Sequence, residues 1–149
     1  MNQIAVLLVM VFAGSLIALQ GSTNSAHGKY LTHPLQAAVF SFGSGFIILC
    51  FACVLLKTGF PSLEKLQAAP KSILIGGALG TVFVSSVIFS VPKIGVASVV
   101  LAALCGQVIF SLILDHFGAF GMPKINLDFK RCLGALLVIS GLILINTKK

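Results

Sequence analysis

LCGQVIFSLILDHFGAFGMP, residues 104–123, is an apolar run of helix length with an amide, Gln107, in its middle and Asp115-His116 near its end. Which solvent surrounds that run decides the fold. Of the 149 residues, 58% are hydrophobic and 9% are charged, whereas soluble domains carry roughly 25% charged residues. Mean hydropathy is +1.11. A water-soluble fold of this length has too little interior to hide so much apolar surface. The solvent of most of the chain is therefore lipid.

Working outward from residues 104–123, five stretches supply the ~20 apolar residues that a spanning helix needs. They run over about 3–24, 34–56, 72–91, 95–116 and 127–146. The beginning, MNQIAVLLVMVF, is apolar like a signal peptide but lacks a basic leader, since the first Lys is Lys29; it reads as a mature helix. Pro34 suits a first helical turn. Pro92 and Gly95 in VPKIG read as the break between helices three and four. Apolar residues run continuously instead of alternating, which argues against a β-barrel. The expectation is an all-α integral membrane bundle of five transmembrane helices, one membrane domain over 1–149.

The formal net charge is +7, from ten Lys and Arg against three Asp and Glu. These cations sit at the ends of apolar runs, where they meet anionic lipid headgroups and set orientation. No aromatic-plus-basic surface suits nucleic acid. An odd helix count puts the two ends on opposite sides of the membrane, so two such units joined in tandem by a short linker are inverted relative to each other, as in many secondary transporters, and this chain reads as one half of that plan. One side holds Lys57, Lys65, Lys71, Lys124, Lys130 and Arg131; the other holds Lys29, Lys93, Lys148 and Lys149. Six against four is a weak inward bias for the N-terminus, open both to one topology and to dual insertion.

Polar residues inside the spans are the candidates for chemistry. Gln107 falls at mid-helix, with Ser111 and Asp115 following at four-residue steps on one broad face. At that depth an amide meets either a substrate or a neighbouring helix. Gln20 and Asn24 are one turn apart near the end of helix one, and Gln36, Ser41 and Ser44 follow on helix two. Asp115 and His116 read as a gate or coupling pair, or as interfacial organisers, with Lys124, Lys93 or a His as the carboxylate's partner. No carboxylate lies at mid-helix, which argues against a proton-coupled drug antiporter. Gly76 and Gly80, spaced G-x-x-x-G, together with Gly106, Gly134 and Gly141, read as helix-packing positions.

Enzyme chemistry finds no footing. No Ser-His-Asp set, HExxH, phosphate-cradling glycine loop or metal-ligand cluster is present in the sequence. CFAC at 50–53 lies within an apolar run and reads as packing, not as a redox or zinc site. No cofactor is expected.

LQGSTN at 19–24, SFGSGF at 41–46, VPKIGVA at 91–97, GQVIFSLILDHFGAFGMP at 106–123 and RCLGALLVISG at 131–141 together resemble the YdcZ-like branch of the drug/metabolite transporter superfamily. The resemblance covers essentially the whole chain. It implies a small five-helix protein of the bacterial inner membrane. Larger relatives have ten helices in two inverted halves and move metabolites. Gln20, Asn24, Gln107, Asp115, His116 and Gly118 match motif positions. Helix one, VFAGSLIAL, lacks the membrane-embedded Glu of the four-helix small multidrug exporters, which argues against proton-coupled cation export. The expected function is export or exchange of a small metabolite or drug-like molecule by alternating access. The transporting unit would be an antiparallel homodimer, or a heterodimer with a paralogue. The competing expectation is an accessory membrane subunit that stabilises or regulates a partner.

Overall fold

The computed structural model describes residues 2–69 and 75–147. The expected start of the third span at Ser72, together with Pro70, Lys71, Lys148 and Lys149, lies outside them. Six α-helices are present among the described residues: α1 Gln3–His27, α2 Leu35–Leu55, α3 Leu63–Ala68, α4 Ile75–Ile94, α5 Val96–Phe117 and α6 Phe129–Asn146. All but α3 are long and apolar enough to cross a membrane. The expectation of five spanning helices and no strand holds for these residues.

The chain divides into two compact units, Met1–Lys93 and Ile94–Lys149. In the first, α1 runs one turn past the expected end at Asn24, to His27, and continues into a 3-10 turn over Gly28–Tyr30. STNSAH reads as the end of an apolar run, yet Asn24 and Ser25 are buried. Tertiary contacts thus hold a turn that propensity alone does not favour. The core of this unit is Ala37, Ala38 and Ile88, with Leu31 and Val84 packed against it. Alanines on α2 leave room for the branched Ile88 of α4. A Cβ added at Gly21 on α1 would lie 2.8 Å from Val87 Cγ1 on α4, so only glycine permits this approach.

Pro92 does not break the helix, contrary to the sequence expectation; α4 passes through it and ends at Ile94. A proline inside a helix removes one N–H and so denies the carbonyl four residues earlier its donor. Here that carbonyl belongs to Ile88, which is 2% exposed. Ser25 Oγ of α1 donates to it at 3.4 Å, which offsets the loss at a buried site. The break falls instead at Gly95, whose φ of 83° lies in the region glycine adopts freely.

The 57–69 segment holds a short helix that the sequence reading missed. Ser62 caps α3 by accepting from the Lys65 N–H at 3.3 Å, and Glu64 stands in its first turn. In the second unit α5 packs along α6.

Candidate functional site

The polar residues of α1 and α2 converge on an open pocket of about 730 Å³ within the first unit. Leu16, Gln20, Asn24 and His27 recur every three or four residues on α1, so one face of that helix supplies them. Ala37, Ser41 and Ser44 do the same on α2, and Leu19, Phe40 and Leu31 add apolar wall. Gln20 Nε2 donates to Ser41 Oγ at 3.1 Å and ties the two helices together. Ser44 Oγ is satisfied by the Ser41 carbonyl at 3.0 Å. Thr23 Oγ1 is shared between the Leu19 and Gln20 carbonyls at 3.1 and 3.0 Å.

Asn24 is different. It is 9% exposed, it lines the pocket, and its buried Nδ2 finds no hydrogen-bond partner among the described residues. A buried donor left unmade costs about 1–3 kcal/mol. Nδ2 itself is closed off from solvent, so a molecule in the pocket reaches it only when the Asn24 side chain turns toward the lumen. Gln20 lies about 10 Å along the axis from the last residue of α1, at 1.5 Å per residue, well inside the apolar segment.

The other expected site residues lie on α5, in the second unit, and do not line this pocket. Gln107 is exposed at mid-helix and makes no side-chain hydrogen bond among the described residues. Ser111 Oγ donates to its own helix, to the Val108 carbonyl at 2.9 Å. Of the glycines, Gly80 receives the Phe42 ring edge, 3.6 Å from an added Cβ. At Gly76, Gly106, Gly134 and Gly141 an added Cβ would meet nothing within 4 Å.

Asp115 and His116 belong to a clasp at the α5–α6 turn. The partner of Asp115 is Arg131, the only arginine of the chain; the expected partners Lys93, Lys124 and His do not fill that role. The ion pair is part-buried, with Arg131 26% and Asp115 34% exposed. Gly118 ends α5 in the left-handed conformation, φ 59°, where a Cβ would press on the Met122 carbonyl at 3.1 Å. The chain then folds back. Ile125 N–H donates to the Asp115 carbonyl at 2.9 Å, and Leu127 N–H donates to His116 Nδ1 at 3.4 Å. Arg131 Nη1 donates to the Ile125 carbonyl at 3.2 Å. Asp128 caps α6 by accepting from the Arg131 N–H at 2.7 Å. Every polar group of the DHFGAFGMP string named here therefore has a local structural task. The missed signal for Arg131 is its place in the first turn of α6, where Asp128 fixes its backbone.

Among the described residues no group of three His, Cys, Asp or Glu is arranged to hold a metal ion. The four cysteines are free.

No curated protein and no solved structure matches the chain. A family model described as "Putative inner membrane exporter, YdcZ" matches residues 5–144. With five helices able to span a membrane and a match over nearly its whole length, the chain is a multi-pass inner-membrane protein that belongs to the YdcZ family.

Proposed function

We propose that this member of an exporter family works by alternating access as a dimer of five-helix halves. Each copy would contribute the α1–α2 pocket to the route of a small metabolite or drug-like molecule. The observation that carries this reading is Asn24: a buried amide with an unmade hydrogen bond, on a residue that lines the pocket between α1 and α2. The volume of the pocket falls in the range of small-molecule sites, ~300–1,000 Å³. The lack of a partner for Gln107 supports a second chain beside α5, because an amide at mid-membrane depth needs a polar partner. Inverted pairs of like units are the building plan of many secondary transporters, and two copies in opposite orientations reproduce it. A heterodimer with a paralogue satisfies the same geometry.

Gln107 also supports the second reading, an accessory subunit whose amide bonds a larger membrane partner. Orientation separates the two. A side-sensitive reporter fused after the C-terminal residue counts the molecules facing each way. A mixed population is expected for the antiparallel homodimer. A single orientation would contradict the homodimer and leave the paralogue pair or the accessory subunit.

A further inference from the structure

We propose that the α1–α2 pocket takes an uncharged molecule bearing an amide or similar paired donor and acceptor on an apolar body. This rests on the reading of that pocket as the substrate site and names its ligand class. No Asp, Glu, Lys or Arg lines the pocket. Apart from the imidazole of His27, an ion entering it meets no charged side chain, so the hydration it gives up against the apolar wall is poorly offset. An uncharged ligand avoids that cost.

The hydrogen-bonding groups define the complementary pattern. Asn24 Nδ2 is a buried donor without a partner, and a turn of the side chain toward the pocket lets a ligand carbonyl oxygen accept from it. Rotation of the Asn24 amide about χ2 exchanges Nδ2 and Oδ1 with little change of shape, so either atom can be presented to the ligand. Gln20 uses Nε2 on Ser41, which leaves Oε1 to accept a ligand N–H. Residues four apart on a helix have Cβ atoms about 5–6 Å apart. The two side chains can therefore bracket one ligand amide, whose oxygen and nitrogen face Asn24 and Gln20. The rest of the ligand meets Leu16, Leu19 and Phe40, an apolar wall that rewards buried CH₂ groups by about 0.8 kcal/mol each.

The test is equilibrium binding to the full chain in lipid nanodiscs, with radiolabelled N-acetyl-leucinamide as the probe. Leucinamide, a cation, and N-acetylleucine, an anion, serve as competitors of similar shape. Saturable binding of the neutral amide is expected, with the charged analogues failing to displace it at tenfold higher concentration. Asn24→Leu is expected to weaken binding about tenfold, the equivalent of one lost hydrogen bond of ~1.4 kcal/mol. Gln20→Leu is the second variant, used if Asn24→Leu does not fold. No saturable binding, or displacement by the charged analogues as strong as by the neutral one, would overturn the ligand class. So would binding unchanged in both variants.

Flux in proteoliposomes separates this inference from the transport reading. Binding with the expected pattern but without flux would sink transport and leave the ligand class standing. Flux of the charged analogues, blocked by Asn24→Leu, would sink the class and leave transport standing.

Discussion

Ser25 on α1 donates its hydroxyl to the Ile88 carbonyl on α4 at 3.4 Å, the carbonyl that Pro92 deprives of its helical donor. The two residues are 63 positions apart in sequence, and both are buried. Ser25→Ala should therefore destabilise the chain by about 1 kcal/mol, the low end of the cost of a buried group left unpaired, since the bond is long. In a Pro92→Ala background residue 92 regains an N–H, which can bond Ile88, and the cost of Ser25→Ala should fall. A double-mutant cycle read by thermal unfolding in micelles checks this. Equal costs in both backgrounds would contradict the coupling.

The clasp at the α5–α6 turn predicts a modest electrostatic contribution. Asp115 and Arg131 are each partly exposed, so solvent screens them, and their coupling energy should be about 0.5–1 kcal/mol. Asp115→Asn and Arg131→Gln should each lower the unfolding temperature. The double variant should lose less than the sum. If the pair were instead a coupling site, Asp115→Asn would abolish flux at unchanged stability.

Two glycine substitutions should part company. Gly21→Ala drives a methyl group against Val87, a side chain stiff at χ1, and should cost about 1–3 kcal/mol by overpacking. Gly134→Ala meets nothing within 4 Å in the chain and should be neutral or stabilise the isolated copy by about 0.5–1 kcal/mol, the helix preference for alanine. Chemical cross-linking of the membrane-embedded protein then reads the dimer. Loss of cross-linked dimer with intact monomer stability would place Gly134 between copies.

Gln107→Leu removes an exposed amide that has no partner among the described residues, so monomer stability should not fall. Loss of the cross-linked dimer is the expected outcome, because an interhelical hydrogen bond contributes about 0.6–2 kcal/mol in a membrane. An unchanged dimer with unchanged flux would remove Gln107 from the account.

Much of the fold was legible because a lipid solvent demands long unbroken apolar runs, and five of them stand out in the chain. Helix boundaries were less so. Pro92 looks like a stop in isolation, and its tolerance depends on Ser25, far away in sequence. Likewise the local neighbours His116 and Lys124 suggested themselves for Asp115, while the actual partner, Arg131, lies 16 residues on. It comes within reach only once Gly118 turns the chain back. Gln20 and Asn24 were legible as a pair from their four-residue spacing. Their facing partner Ser41, and the walls formed by Phe40 and Leu31, follow from how α1 rotates against α2, which no spacing along one helix reveals.

The most direct test of the account is flux of N-acetyl-leucinamide from proteoliposomes containing the wild-type chain or Asn24→Leu, with unfolding temperature recorded on the same samples. Asn24→Leu removes a buried donor that is unpaired in the structure, so stability should be unchanged or higher by about 1–3 kcal/mol while flux at sub-saturating substrate falls about tenfold. Wild-type flux retained in the variant, or lost only together with stability, would contradict the assignment of Asn24 to the transport site.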